Sequence, residues 1–218
     1  MTGDPLAGVP AAIAAGVRAA LERSQERGAI GPGPLDEHIA QAAAFAVVVR
    51  SVVDAPARIA DLGSGGGLPG LVLAALLPES EVILLDGRTE RMRLLEEHLA
   101  LIGWEGRVRA IAGRAEEIGR GPLRHGLDAV VARGFAPPAV TAECGAPLLR
   151  PGGALVVSEP PDTKRSALRW EPSGCAALGL ERIGVPETGW AFAALRALSP
   201  CDSRYPRRTG IPAKRPLF

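Results

Sequence analysis

The sequence predicts a doubly wound α/β sheet, and three observations carry that prediction. The first is a single stretch, Arg58-Ile59-Ala60-Asp61-Leu62-Gly63-Ser64-Gly65-Gly66-Gly67-Leu68-Pro69-Gly70-Leu71-Val72-Leu73-Ala74. A short apolar run ending in an acid reads as a buried strand. Glycines at alternate positions read as a tight turn, and Leu68–Leu77 as a helix. Glycine lets backbone N–H groups approach a ligand closely, and Pro69 suits a first helical turn, where its missing N–H is not required. The second observation is that strand and helix signals alternate from here onward, as a parallel sheet with crossover helices requires. The third is that acids, Asp61 and Asp86, end the first two strands, at the carboxyl edge where such sheets bind ligands.

The elements follow in order. Pro10–Arg27 reads as an amphipathic helix with Ile13, Val17 and Leu21 on one face. Gly28–Pro34, with three glycines and two prolines, is a break or linker. Leu35–Val53 reads as a second helix, rich in Ala and Val, that packs on the main domain. Strands are expected at Arg58–Leu62, Glu81–Leu85, Arg107–Ala112, Leu127–Ala132 and Ala154–Ser158. The helix Thr89–Ile102 takes Thr89 as N-cap and buries Met92, Leu95 and Leu99. Pro137–Leu149 reads as helix and Pro151-Gly152-Gly153 as the turn into the fifth strand. Leu180–Val185 and Trp190–Leu198 complete a seven-stranded, mostly parallel sheet as an antiparallel pair. The division expected is an N-terminal helical cap over 1–54, a sheet domain over 55–200 and a basic tail over 201–218.

Length and composition bound the function. At 218 residues the chain supports one sizeable core. Its net charge of +1 hides a strongly basic final segment on a slightly acidic remainder. Cys144, Cys175 and Cys201 are widely spaced, which argues against a disulfide framework or zinc site and suits a reducing cytoplasm. The N-terminus lacks a signal-peptide pattern, and the apolar run Ala42–Val49 is too short to span a bilayer. A cytoplasmic protein, acting as a monomer, is expected.

The spacing Asp61-x-Gly63-x-Gly65-x-Gly67 matches the acid-x-Gly-x-Gly-x-Gly pattern of S-adenosylmethionine-dependent methyltransferases, the class I Rossmann-like enzymes. The carboxylate can hold the methionine ammonium, and the glycines leave room for the adenosyl sulfonium. Gly65-x-Gly67-x-x-Gly70 also fits the dinucleotide fingerprint, but that frame puts Pro69 in the phosphate loop and leaves Asp61 unexplained. Asp86 can accept hydrogen bonds from both ribose hydroxyls, a device dehydrogenases share. After the third strand, Gly113-Arg114-Ala115-Glu116-Glu117 borders the adenine in methyltransferases; alternatively Glu116 and Glu117 charge the first turn of a short helix.

Arg133, at the end of the fourth strand, faces the transferred group by the crevice rule. Its guanidinium can pair with a phosphate or with guanine acceptors, and an ion pair with Asp61 or a neighbouring carboxylate is a compatible alternative. His38 can face substrate; a lone helical histidine is otherwise structural or solvent-facing. Ala136-Pro137-Pro138-Ala139 has the prolines of an exocyclic-amine methyltransferase without its amide or ring. Cytosine C5 chemistry, which needs a cysteine nucleophile near the site, is disfavoured because the only Pro-Cys pair, Pro200-Cys201, lies beyond the last strand, and no metal cluster is apparent. An acceptor that is already nucleophilic, such as guanine N7, needs neither base nor covalent catalysis; positioning supplies most of the rate. The tail from Asp202 to Phe218 carries five basic residues against one acid, offers Tyr205 as a stacking ring, and holds prolines and glycine that exclude a regular helix. It reads either as a segment that follows a phosphate backbone and orders on binding, or as a solvated basic end.

Together the runs DLGSGGGLPGLVLA, LLDGRTERMRLL, GRAEE, VARGFA and RYPRRTGIPAKRPL resemble the bacterial small-subunit ribosomal RNA guanine-N7 methyltransferases, the glucose-inhibited division protein B family, over roughly residues 35–218. The resemblance implies S-adenosylmethionine as cofactor and 16S ribosomal RNA or the 30S subunit as partner. Cofactor-binding candidates are then Asp61, Gly63, Ser64, Gly65, Gly67, Leu68, Asp86, Arg114, Ala115 and Glu116. Arg133 is the candidate catalytic residue. His38, Arg91, Arg133, Arg204, Tyr205, Arg207, Arg208 and Lys214 are candidates for substrate or RNA. The sequence departs from the family at Glu90, where lysine is usual, at Gly134, and at Ser158-Glu159-Pro160, where the family carries lysine-glycine.

Overall fold

A computed structural model describes residues 3–161 and 169–218. The described residues build one seven-stranded sheet in the order β3-β2-β1-β4-β5-β7-β6. The strands are β1 (Arg58–Leu62), β2 (Glu81–Asp86), β3 (Val108–Ala112), β4 (Leu127–Ala132), β5 (Leu149–Ser158), β6 (Leu180–Ile183) and β7 (Phe192–Ala197). The first five run parallel, while β7 lies antiparallel between β5 and β6. The doubly wound sheet and its late antiparallel pair therefore follow the sequence reading.

Strand residues alternate between two buried faces, so each strand feeds two cores. Ile59, Val131, Val156 and Ala194 meet helices α2 (Leu35–Val52) and α3 (Gly70–Leu76), while α1 (Ala11–Glu26) and α4 (Thr89–Ile102) share a cluster with Val82 and Leu84. Phe45 of α2 meets Phe192 of β7 edge to face, centroids 4.7 Å apart, which fastens the N-terminal helices to the sheet. Ala60, Leu62, Val130 and Leu155 point the other way, into a core closed by α5 (Ala115–Ile118), α6 (Pro138–Gly145) and α7 (Pro172–Ala177).

Boundaries moved where local signals met tertiary constraints. The helix at the glycine turn starts at Gly70, with Leu68 and Pro69 in the turn. Arg88, not Thr89, occupies the N-cap of α4, and no side chain caps it. The expected Pro137–Leu149 helix stops at Gly145 and tightens into a 3₁₀ turn at Ala146–Leu148. Pro151-Gly152-Gly153 is no turn between elements. It is an irregularity inside β5, whose register to β4 jumps from Leu127↔Leu149 to Ala129↔Ala154.

The C-terminal segment is the largest correction. It is not a solvated end, and it is ordered without a nucleic acid to follow, because it completes the second core. Tyr205 is 7% exposed and packs with Cys201 and Leu123, while Phe218 lies against Gly174. A one-turn helix, α8 (Ile211–Lys214), forms despite its prolines, since Pro212 sits in the first turn, where no N–H is required. The wholly buried Glu143 of α6 draws the segment in. It accepts from the Arg207 backbone N–H (2.8 Å), from Arg207 Nε (2.8 Å) and from Arg207 Nη2 (2.6 Å). Arg124 donates to the carbonyls of Cys201, Asp202 and Tyr205. Glu143→Ala leaves Arg207 without its partner and opens space under the segment. Chemical denaturation is expected to show a loss of about 2–3 kcal/mol, with limited proteolysis cutting first within residues 201–218.

Candidate functional site

The site lies at the carboxyl ends of β1, β2 and β4, around the glycine turn. Asp61, 0% exposed, accepts from the Gly70 backbone N–H through Oδ2 at 2.9 Å. Its other oxygen, Oδ1, is buried and has no hydrogen-bond partner. Burial pushes its pKa up to about 7, against the pull of the Gly70 N–H and the positive charge of Arg133. Any side chain at Gly70 would collide with Leu84 and with Asp61 itself, so glycine is required there by contact.

Ser64 stitches the turn to the sheet. Its hydroxyl donates to the Asp61 carbonyl at 2.8 Å and accepts from the Leu85 N–H at 2.9 Å. Gly63 turns with φ +81°, and a side chain there would strike the Phe135 ring. Asp86, at the end of β2, braces the same turn by accepting from Gly65 N (3.0 Å) and Arg88 N (2.9 Å), with Arg91 Nη1 3.6 Å away. Each carboxylate oxygen accepts more than one hydrogen bond, so this bracing leaves Asp86 capacity for ligand hydroxyls.

A cleft of about 280 Å³ opens over this turn, lined by Gly63, Ser64, Gly65, Leu68, Arg91 and Arg133 together with Ala29, Ile30 and Gly31. The last three belong to the stretch read as a linker. Sequence reasoning missed them because nothing in a Gly/Pro break says which surface it will cover. The segment is tied down by Ala29 N to Ser24 O (2.8 Å) and by Gln25 Nε2 to Gly33 O (2.9 Å). Ile30 sits so close to Gly66 that a side chain there would collide with it. Phe135, also missed, separates this cleft from a second of about 250 Å³ between the ends of β4 and β5, lined in part by Gly134, Glu159, Arg169 and Trp170.

Arg133 is half-buried and pairs with neither Asp61 nor any other carboxylate among the described residues. Its Nη2 donates to His38 Nδ1 at 2.7 Å, and Asp61 acts on it only through space. His38 is thus drawn to Arg133 and does not point freely outward. Glu116 is 6% exposed and, with Glu117, lies in the first turn of the short helix α5, as the second of its two readings expects, while its carboxylate accepts from Gly210 N of the C-terminal segment at 2.9 Å. Ala115 is buried beside it, and Arg114 is largely exposed, 3.9 Å from Glu116. Of the basic candidates, Arg204, Arg208 and Lys214 are exposed. Arg207 is turned inward onto Glu143, and Tyr205 is buried with Arg204 across its ring, so neither is free to stack on or grip a strand of RNA. Glu159, the departure at the fifth strand, is buried between Arg169 Nη1 (2.5 Å) and Trp170 Nε1 (3.0 Å), which compensates its charge.

The geometry excludes two rival chemistries. In a dinucleotide site the helix N-terminus after the turn receives a pyrophosphate, but here the Gly70 N–H is already held by Asp61. Cys144, Cys175 and Cys201 are buried, and burial pushes their thiols up to about 12, 11 and 11, so none is an available nucleophile. No helix among the described residues is long and apolar enough to cross a membrane.

Comparison with known proteins agrees with this geometry. Residues 32–175 match the family described as rRNA small subunit methyltransferase G. The ribosomal RNA small subunit methyltransferase G of Prochlorococcus marinus is 36% identical over 169 residues, which is 74% of this chain and 68% of that protein. Its counterpart in Rubrobacter xylanophilus is 37% identical over 174 residues, 75% of this chain and 66% of that protein. The SAH-bound Podospora anserina methyltransferase PaMTH1 shares the fold, with a TM-score of 0.57 at 15% identity over 87% of this chain and 88% of that one. An Asp61-anchored glycine turn at the carboxyl edge of this sheet, in a sequence so related, places the chain in the rRNA small subunit methyltransferase G family.

Proposed function

We propose that this protein transfers a methyl group from S-adenosylmethionine to N7 of a guanine in 16S ribosomal RNA, as a cytoplasmic monomer acting on the RNA or the 30S subunit. The observation that carries the reading is the unpartnered buried oxygen of Asp61 beneath a glycine turn. A cationic ammonium at the turn would supply the hydrogen-bond donor and counter-charge that Oδ1 lacks. Asp86, Ser64, Gly63, Gly65, Gly67 and Leu68 surround the same turn, which fits a nucleoside with an amino-acid arm. Ala115 and Arg114, at the end of β3, border the adenine in this reading, and Glu116 supports them from below.

S-adenosylmethionine, when bound, supplies an electrophilic methyl group on sulfur. The chain's part is then positional. Arg133 brings a positive charge to the cleft mouth, where it can pair with a phosphate or with the acceptor edge of guanine. Residues 29–31 line the cleft beside the turn. N7 carries its own in-plane lone pair, so no general base is required, and alignment supplies most of the acceleration. The exposed Arg204, Arg208 and Lys214 lie on the folded C-terminal segment and attract phosphates as fixed surface charges.

Two measurements test this. Radiolabelled methyl transfer to 30S subunits from a strain lacking the family enzyme is expected to label one guanine, with Asp61→Ala abolishing the label; an unlabelled subunit with intact cofactor binding would overturn the substrate assignment. The second follows from the Asp61 carboxyl, whose pKa lies near 7. Below that pH it is protonated and cannot pair with an ammonium, so calorimetric affinity for S-adenosylmethionine is expected to rise with pH through 7 and then level off. Asp61→Asn is expected to weaken binding at pH 8 about tenfold or more and to remove the pH dependence.

A further inference from the structure

His38 makes three contacts that together fix its protonation. Its Nε2 lies 3.2 Å from the Gly31 carbonyl and 3.2 Å from the Pro32 carbonyl. A carbonyl oxygen only accepts, so Nε2 carries the hydrogen. Nδ1 then presents a lone pair, and Arg133 Nη2 donates to it across 2.7 Å. The neutral Nε2–H tautomer is the one form that satisfies all three. Through this one ring, α2, the segment covering the glycine turn and the cation at the end of β4 are joined.

We propose that neutral His38 is a positioning residue, which aims Arg133 at the cleft and latches residues 29–33 over the glycine turn; a proton on Nδ1 would displace Arg133 while leaving the Nε2–H contacts to Gly31 and Pro32 in place. The choice of residue type has a reason. A carboxylate in this place would bind Arg133 more strongly but cancel its charge, whereas a neutral imidazole takes one of five N–H groups and leaves the charge for a ligand. Once charged, the ring would set an Nδ1–H against an Arg133 N–H, two donors and two positive charges in contact. The surrounding charges do not relieve this. Asp61 attracts Arg133 from within the sheet, Arg91 of α4 lines the same cleft, and on α2 itself Glu37 is exposed and Asp36 is taken by Arg18 at 2.5 Å. Among the described residues, none of these is hydrogen-bonded to Nδ1 in place of Arg133.

Only the activity readout depends on the methyltransferase reading, so two readouts are needed. Nitrogen-15 NMR of the full chain, with His38→Gln identifying the His38 signals, is expected to show Nε2 protonated and Nδ1 bare at neutral pH. Finding hydrogen on Nδ1 would overturn the proposal. Methyl transfer to 30S subunits is then followed against pH at saturating S-adenosylmethionine, which removes the Asp61 contribution. His38→Ala is expected to lower kcat/KM for the subunit about tenfold to a hundredfold, with thermal melting unchanged. His38→Gln, whose amide both donates and accepts, is expected to restore most of that rate and to flatten the acid limb of the profile. A His38→Ala variant with the wild-type rate and acid limb would overturn the latch. Absence of transfer by the wild type would overturn the methyltransferase reading instead, leaving the NMR result to decide the tautomer.

Discussion

A buried carboxylate with one satisfied oxygen is the constraint on which this structure turns. Asp61 ends β1 inside the protein, and its contact with the Gly70 N–H ties the end of the strand to the beginning of α3. The chain between them must then reverse within a few residues, and it does so with glycines. Ser64 and Asp86 fasten that reversal to β2 from two sides. Leu84 packs where a Gly70 side chain would be. The cost of burying Asp61 appears in its raised pKa, and its unpartnered oxygen is what makes the turn receptive to a cation.

The cleft over that turn is assembled from remote pieces of chain. Its floor comes from residues 63–68, one wall from Arg91 and another from Arg133. Its cover comes from residues 29–31, held by Ser24, Gln25 and His38. The N-terminal helices therefore do more than shield apolar surface. They present a short irregular segment whose backbone carbonyls orient His38, and His38 in turn orients Arg133. A half-buried guanidinium without a carboxylate partner is unusual, because burial opposes its charge. Its persistence here is intelligible if the balancing negative charge arrives with a ligand.

The C-terminal segment shows how composition misleads. Five basic residues against one acid, with two aromatics and three prolines, has the character of a segment that orders on nucleic acid or stays solvated. Glu143 reverses that expectation. A carboxylate buried in α6 must be compensated, and the Arg207 guanidinium and backbone supply what it needs. Once Arg207 is drawn in, Tyr205 falls into the core and Gly210 reaches Glu116. The remaining charges, Arg204, Arg208 and Lys214, are then displayed from a folded surface.

By itself the sequence determined the sheet, the direction of its strands, the glycine turn and the acids Asp61 and Asp86 beside it. These follow from local rules, since apolar periodicity, strand-ending acids and closely spaced glycines act over a few residues. The tertiary structure alone decided which groups meet across long separations. That Arg133 bonds His38 and not Asp61, that Glu116 serves the C-terminal segment, and that residues 29–31 roof the cleft are pairings of buried or half-buried polar groups. No residue pattern encodes such a pairing, because each is settled by which partner is close enough to satisfy a group that burial has cut off from water.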